Sequence, residues 1–210
     1  MTAILKVDTI QDTAGNNIIN EASDVITIGA SGDTVNVIGT LQSNGSAVPT
    51  VAGGITMANQ FRLTSTFTGD VDPIASNLEA VDTAGQGSIG SAMTQSSGIF
   101  TFPSTGIYLV RFVALFSTDQ STDSAKNKIT IKLTTNNSSY VDIAFGNAGL
   151  PLVDSTFTAM QAITESLVDV TDTSNVKVKF SIDVAQSSVY TSGNTDRNET
   201  FMTFIRLGDT

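Results

Sequence analysis

The 210-residue sequence contains no cysteine and no histidine. Disulfide bonds are therefore excluded, and the sequence lacks the residues that most often bind zinc or serve as thiol nucleophile and general base. Carboxylate chemistry or a serine–lysine pair would still be available to an enzyme, but the sequence shows a recognisable motif for neither. We therefore expect a protein without enzymatic activity, cofactor or bound metal.

Positive charge is also scarce. Ten Lys and Arg residues against 20 Asp and Glu residues give a formal net charge of −10 at pH 7 and a pI near 4.1. A nucleic acid is a poor partner for such a chain because its phosphates would be repelled. No apolar run approaches the roughly 18 residues of a membrane-spanning helix, and MTAILKVDTIQD lacks the basic start and apolar stretch of a secretory signal. We expect no membrane insertion and no secretory signal.

The second half of the chain contains β-strand patterns of two kinds. Residues 128–134 and 176–184 alternate between apolar and polar side chains, as expected for strands with one buried and one wet face. Residues 107–116 and 201–207 are apolar on both faces, and such strands need cover on both sides. The core of a sandwich covers one face only, and the sequence shows no amphipathic helix to cover the other. We therefore predict that another subunit covers it.

The predicted interface lies on one face of each of these two-sided strands. Its two arginines could pair with carboxylates of a neighbouring subunit, bind an anion near the symmetry axis, or reach a sheet edge with the side-chain stem packed. The predicted subunit-interface residues are Leu109, Arg111, Val113, Leu115, Met202, Phe204 and Arg206.

Residues 1–42 form a separate region in which short strands are expected. Two similar units, residues 24–29 and 33–39, each place a few apolar strand residues between turn residues. Such units could wind into a triangular β-stem in a trimer, or they could lie as an irregular arm on a neighbouring protein. The predicted anchor residues of this region are Leu5, Val7, Ile10, Ile26, Ile28, Val35 and Val37.

Glycine, small residues and one proline fill residues 43–54, SNGSAVPTVAGG, which indicates a linker. Residues 55–210 then show eight or more short strands separated by turns. The predicted fold class is therefore all-β, with an N-terminal β-rich arm or stem followed by a jelly-roll β-sandwich.

Two polar segments are candidates for binding. Asp70 and Asp72 alternate in Gly-Asp-Val-Asp-Pro and could hold calcium, although a solvated acidic turn is favoured here, as it is for Asp119 and Asp123. The loop 186–199 combines an aromatic residue with polar groups, so it could recognise a sugar or a receptor protein. The candidate receptor-binding residues in this loop are Tyr190, Asn194 and Arg197.

The phrase Gly98-Ile-Phe-Thr-Phe-Pro-Ser-Thr-Gly-Ile-Tyr108, followed by Leu-Val-Arg-Phe112, resembles the signature of the complement-type globular head. That fold is shared with the tumour necrosis factor superfamily, and the ending Thr200-Phe-Met-Thr-Phe-Ile-Arg-Leu-Gly208 is similar to its closing strand. The resemblance covers roughly residues 58–208. It implies a jelly roll that forms a homotrimer through its inner sheet, to which the strands resembling 107–116 and 201–207 belong. No collagen-like stalk precedes the head, so residues 1–42 are expected to align the trimer.

A second resemblance lies at Leu5-Lys-Val-Asp-Thr-Ile-Gln-Asp-Thr-Ala-Gly15, which is similar to the N-terminal segment of tailed-bacteriophage fibre and virion proteins. Together the two resemblances imply a virion structural protein made in the host cytoplasm and displayed on the particle surface. We expect a short trimeric fibre or knob that is held by capsid or tail proteins through its N-terminal region and attaches to a host receptor or glycan. A capsid decoration (cement) protein that stabilises the shell without binding the host is the alternative. A polysaccharide-cleaving spike is a third possibility.

Overall fold

A computed structural model describes residues 9–11, 13, 17–22, 25–28, 34, 42–43, 46–47, 54–118, 123–151 and 157–210. The chain divides into two compact units, Met1–Ala52 and Gly53–Thr210. Within the described residues both units are built from β-strands without a helix. No helix that could cross a membrane is therefore present in that part of the chain.

The first unit contains short antiparallel strands. Strands β1 (Thr9–Gln11), β2 (Asn17–Ala22) and β3 (Val25–Ile28) form a sheet in the order β1-β2-β3, and β4 (Gln42–Ser43) pairs with β5 (Ser46–Ala47). The predicted β-rich character is confirmed for these segments. Apart from Thr34, the predicted unit at 33–39 lies outside the described residues, and both the stem and the arm stay predictions. The linker at residues 43–54 also stays a prediction.

The second unit is a sandwich of two antiparallel sheets. Its strands are β6 (Met57–Leu63), β7 (Phe67–Thr68), β8 (Leu78–Ala80), β9 (Thr94–Ser96), β10 (Ile99–Thr101), β11 (Gly106–Thr118), β12 (Ser124–Thr134), β13 (Val141–Leu150), β14 (Thr158–Val170), β15 (Lys177–Val184), β16 (Tyr190–Thr191) and β17 (Phe201–Gly208). The five-stranded sheet has the order β13-β12-β15-β10-β9. The seven-stranded sheet has the order β7-β16-β11-β17-β6-β8, and β14 pairs with β11 along its whole length. The prediction of an all-β sandwich is confirmed.

The core lies between the sheets and is centred on aromatic rings. Phe100 and Phe180 of the five-stranded sheet lie 5.4 Å apart between ring centroids, and Phe204 of the seven-stranded sheet lies 5.2 Å from Phe100 and 6.0 Å from Phe180. Phe112 on β11 contacts Phe180 at 5.0 Å. All four side chains are buried. Because each ring removes a large apolar area from water, this cluster is a main source of stability for a chain that has no disulfide.

The single-sided strands behave as the alternation predicts. The alternate apolar residues from Val176, just before β15, to Val184 at its end are buried, while Asp183 is exposed. Along β12, Ile129 and Ile131 are fully buried and Lys128 reaches the outer surface. These two strands therefore place their lysines on the outer side of the five-stranded sheet.

The Gly-x-Tyr phrase at the start of β11 has a local structural cause. Gly106 has φ near 139°, and a Cβ atom added there would lie 2.5 Å from the carbonyl oxygen of Gly208. Two residues later, the hydroxyl of the buried Tyr108 donates a hydrogen bond of 3.0 Å to the carbonyl oxygen of Ser104. The glycine lets the start of β11 approach the end of β17 closely, and the tyrosine fixes the turn that leads into β11.

Candidate assembly surface

Strand β11 turns one side to the core and the other to the outside of the sandwich. The core side carries Tyr108, Val110, Phe112, Ala114 and Phe116, all of which are fully buried. The intervening residues Leu109, Arg111, Val113 and Leu115 lie on the outer side. Four of the predicted interface residues thus share the face that the core of their own chain does not cover, while their burial by another subunit stays a prediction.

Pairing with β14 and β17 arranges the outer side chains in rows across three strands. In one row Leu109 is flanked by Leu167 and Ile205, and in another Val113 is flanked by Ile163 and Phe201. Residues paired in this way lie within contact distance on one face of a sheet. We call these six residues the apolar face: Leu109, Val113, Ile163, Leu167, Phe201 and Ile205.

The apolar face is partly open to solvent in the single chain: its β14 residues are exposed, Leu109, Phe201 and Ile205 are partly exposed, and Val113 is buried. Leu167 and Ile163 are 63% and 57% exposed, which is unusual for large aliphatic side chains. Over the outer side of β11, β14 and β17 lies an open hollow of about 660 Å³ to which Val113, Ile163 and Phe201 contribute. Exposed apolar side chains grouped in rows in this way mark an interaction surface more often than scattered apolar residues do.

A polar row separates the two apolar rows. The Nη2 atom of Arg111 lies 2.7 Å from Oε2 of Glu165, directly across the β11–β14 pair. On the other side of Arg111 is Thr203, whose Oγ1 accepts a hydrogen bond of 2.8 Å from Nε2 of Gln60. The arginine therefore has a carboxylate partner within its own chain. Both partners are about half exposed, so the pair contributes only about 0–1 kcal/mol to the fold of one chain.

The prediction that Met202 and Phe204 lie in the interface is wrong. On β17, Met202 pairs with Phe112 and Phe204 pairs with Val110, so both share the core side of the sheet. Both are fully buried, and Phe204 contacts Phe100. The outer side of this strand is instead formed by the alternate residues, which include Phe201 and Ile205.

Arg206 is also absent from the apolar face. It pairs with Tyr108 near the end of β17, on the core side of the register. Its guanidinium leaves the sandwich at the sheet end, where Nε donates 2.9 Å to the carbonyl oxygen of Thr105 and Nη2 pairs with Asp209. The side chain thus follows the third predicted environment, a packed stem that reaches the edge.

Sequence reasoning missed Arg62, which bounds the apolar face beside β6. Arg62 pairs with Phe201 across β17 and β6, and its side chain is completely buried. Its guanidinium donates to Glu79 at 2.7 Å and Asp82 at 3.0 Å, and further hydrogen bonds go to Thr83 and Gln86. These contacts hold residues 79–86 over the outer side of the sheet, so the chain covers this part of the face itself.

Exposed apolar side chains also occur where the two sheets meet at one edge. Strands β13 and β14 run close together there, as shown by Gly146, where an added Cβ atom would lie 2.5 Å from the carbonyl oxygen of Ile163. The side chains of Val141, Phe145 and Phe157 on and beside these strands are 61%, 64% and 61% exposed. Phe145 pairs with Thr130 and Val141 pairs with Leu133, which places these two side chains on opposite faces of β13.

The candidate receptor loop is more ordered than the sequence suggests. Tyr190 lies in β16, paired with Ser117 of β11, and its side chain is exposed. The backbone amide of Asn194 donates 2.8 Å to the carbonyl oxygen of Leu63. Arg197 projects into solvent and pairs with Glu199 at 2.8 Å. Tyr190 and Arg197 are thus exposed while Asn194 is partly buried, and receptor binding by these three residues stays a prediction.

The acidic segment at Asp70 and Asp72 is engaged with cations and backbone of the same chain. Oδ1 of Asp70 accepts 2.8 Å from the amide of Val184, and Asp72 lies 2.9 Å from Nζ of Lys132 and 2.8 Å from Nζ of Lys179. Burial raises the pKa of Asp72, but the hydrogen bonds and charges of the two lysines outweigh it and hold this pKa below its usual value. Across the described residues, no three carboxylates are grouped as a metal site requires.

The predicted anchor is only partly within the described residues. Ile10 on β1 and Ile28 on β3 are 40% and 55% exposed, and Ile26 also lies in β3. The remaining predicted anchor residues, Leu5, Val7, Val35 and Val37, lie outside the described residues. Anchoring through this region stays a prediction.

Comparison with known proteins adds evidence on the fold. No protein-family model matches the chain, and no curated protein sequence matches it. Among solved structures, murine APRIL is similar with a TM-score of 0.51 at 10% identity, covering 72% of this chain and 98% of that one. Eiger TNF from S. frugiperda is similar with a TM-score of 0.52 at 11% identity, covering 75% of this chain and 96% of that one. At these identities the likeness concerns the fold alone, and the second unit has the jelly-roll sandwich of TNF-like domains.

Proposed function

We propose that the protein is a non-enzymatic virion component of a tailed bacteriophage, a short homotrimeric fibre or knob whose head attaches to the host surface. In this proposal residues 1–42 bind the capsid or tail, and residues 55–210 form the displayed head. The single observation that carries the assembly is the apolar face on the outer side of β11, β14 and β17. The phage assignment rests on the resemblance of residues 5–15 to virion-protein N-termini.

Threefold assembly needs two different surfaces on each protomer. A ring with cyclic symmetry repeats one head-to-tail contact, so one patch must meet another patch on the next copy. The apolar face is one such surface, and Phe145, which is 64% exposed on β13, is a candidate for part of the second. Burying several hundred Å² of apolar surface per protomer would provide on the order of 10 kcal/mol before the costs of association. This supports a trimer that persists without disulfides.

Sedimentation of the full-length protein tests the assembly. We expect a particle of three times the 21.9 kDa protomer mass at micromolar concentration. Ile163→Asp places a charge on the exposed β14 side of the apolar face and should yield folded monomers, because burying an unpaired carboxylate is prohibitive. Ser139→Asp, at an exposed position between β12 and β13, is the matched control and should leave the trimer intact. A folded wild-type monomer contradicts the proposal.

Particle imaging and cell adsorption test the role. Labelled antibody against the head should mark a fixed position on intact particles, and deletion of residues 1–54 should abolish that incorporation. Purified full-length protein should adsorb to host cells if the head is an attachment module. Incorporation into the shell without adsorption would instead favour the decoration role.

A further inference from the structure

A groove crosses the outer side of the five-stranded sheet, on the opposite layer of the sandwich from the apolar face. Residues of β12 and β15 form its floor, and its volume is about 260 Å³. One wall is the segment from Asp70 to Ile74, which runs beside β15 where β10 does not extend. The amide of Val71 donates 3.0 Å to the carbonyl oxygen of Ile182, and the amide of Ile182 donates 2.9 Å in return. The wall is therefore held by backbone hydrogen bonds.

Charged side chains of both signs face this groove in nearly equal number. Lys128 lies 3.6 Å from Asp183, and Lys132 bridges Asp72 at 2.9 Å and Asp142 at 3.4 Å. A free anion would meet the carboxylates and a free cation would meet the ammonium groups, so neither charge is favoured. The alternation of donors and acceptors instead suits a neutral ligand whose groups can both donate and accept. Hydroxyl groups have this property.

The polar groups are fixed before any ligand arrives. The Lys132 and Lys179 side chains are only 23% and 17% exposed, and Nζ of Lys179 lies 4.8 Å from the ring centroid of Tyr140. Asp72 holds both ammonium groups from the wall of the groove. Of the two lysines only Lys132 lines the groove, and because its ammonium has three N–H donors and two carboxylate partners, one donor remains for a ligand. Side chains already held in this way lose little conformational freedom on binding.

We propose that this groove binds one neutral sugar unit of a host-surface glycan. The inference deepens the proposed attachment role and rests on it, and it assigns recognition to the side of β12 and β15 rather than to the loop that contains Tyr190. Binding there leaves the apolar face free, so recognition does not compete with assembly for that face. Three copies in a trimer would turn weak single contacts into strong attachment through multivalency.

The test uses the full-length protein and methyl glycosides of glucose, galactose, mannose and N-acetylglucosamine. One unit in an open groove should bind with a Kd on the order of 1–10 mM, which NMR titration detects. We expect at least one glycoside to bind. The double variant Lys128→Gln with Asp183→Asn should weaken that binding about tenfold or more, because it removes one charged donor and one charged acceptor at nearly constant volume. The control is Lys126→Gln with Asp123→Asn, which makes the same changes at exposed positions near the start of β12.

The possible outcomes distinguish failure of the groove assignment from failure of the attachment role. Loss of sugar binding and of cell adsorption in the double variant, with an unchanged sedimentation mass, supports the inference. Cell adsorption by the wild type without binding of any of the four glycosides overturns the groove assignment and leaves the attachment role standing. Sugar binding that the double variant retains places the site elsewhere and also overturns it. Absence of wild-type adsorption contradicts the attachment role, and the NMR titration then decides the groove alone.

Discussion

Phe204 lies directly opposite Val110 across the β17–β11 pair, and both side chains are fully buried between the two sheets. The ring of Phe204 also contacts Phe102 on the neighbouring segment, at 6.5 Å between centroids. Because successive residues of a strand point to opposite faces, this one pairing assigns every residue of β17 to its side. The outer side then carries Phe201 and Ile205, which complete the apolar face. A charge at position 204 therefore tests folding, while a charge at position 163 tests assembly.

Phe204→Ala should destabilise the fold of each protomer by about 3–5 kcal/mol, since it removes a buried ring and leaves a cavity among Phe100, Phe102 and Phe180. Denaturant unfolding of wild type and variant at equal protomer concentration measures this loss. Equal concentration matters because assembly adds concentration-dependent stability.

Leu207→Ala is the control for this prediction. Leu207 lies on the same strand but is 56% exposed, so its truncation should cost less than about 1 kcal/mol. Equal losses for the two variants would show that Phe204 is not in the core.

Arg62→Ala should destabilise the protein by about 3 kcal/mol, because it leaves Glu79 and the polar groups of residues 82–86 without their buried cation. Arg62→Lys should recover only part of this loss, since one ammonium cannot reproduce the planar guanidinium that serves four side chains. The measurement is the shift of the denaturant midpoint at constant slope.

Arg197→Ala provides the comparison, because Arg197 also pairs with a glutamate at 2.8 Å but has a side chain that is 72% exposed. Its loss should cost about 0–1 kcal/mol, as for other surface pairs. If Arg62→Ala costs no more stability than Arg197→Ala, the inference that Arg62 holds residues 79–86 over the outer side of the sheet is wrong.

The sequence predicts the strands and the fold class well because alternation and turn residues are local signals. In strands such as β15, with one apolar and one polar face, the sequence pattern indicates directly which face is buried. Strand β17 does not, because both of its faces are apolar. Only its pairing with β11 places Phe204 inside and Phe201 outside, and a strand register is a long-range property.

The buried Arg62 was hidden from sequence reasoning for a similar reason. In MANQFRL the arginine occupies the face opposite Phe61, which normally indicates an exposed side chain. Its partners lie 17 to 24 residues further on, in β8 and in the loop that follows it, and no regular pattern marks this segment. The groove between β12 and β15 likewise depends on where residues 70–74 run, and nothing local in Gly-Asp-Val-Asp-Pro predicts that path.

Acid should remove the stabilisation that Asp72 provides. Its pKa in the folded protein lies below the ordinary value of 3.8, so the folded state binds this proton less readily than the unfolded chain. The contribution is therefore present above about pH 4 and is lost as the pH falls through the folded-state pKa. Lys132 has a raised pKa because it hydrogen-bonds to Asp72, so its contribution is present below the ordinary value of 10.5 and is lost as the pH rises through the folded-state pKa.

Asp72→Asn should thus lower stability by about 0.5–1 kcal/mol near neutral pH, a value suited to a carboxylate that is 41% exposed. The difference from wild type should shrink towards zero at the acid end of a series of denaturant unfolding curves. Asp196→Asn, on an exposed bend, controls for the change in net charge. A difference that is the same at pH 3 and pH 7 would show that the carboxylate charge is not the cause.

Gly106→Ala should destabilise the protein by about 1–3 kcal/mol for two reasons that act together. The backbone at Gly106 has φ near 139°, which side chains other than glycine adopt only with strain. The added methyl group would also meet the carbonyl oxygen of Gly208 at 2.5 Å and Nε of Arg206 at 2.6 Å, which would push β17 away from the start of β11. Gly87→Ala is the matched control, because nothing lies within 4 Å of a Cβ atom there. Thermal unfolding of both variants decides: an equal effect at the two positions would mean that the Gly-x-Tyr phrase is not required by the backbone of this fold.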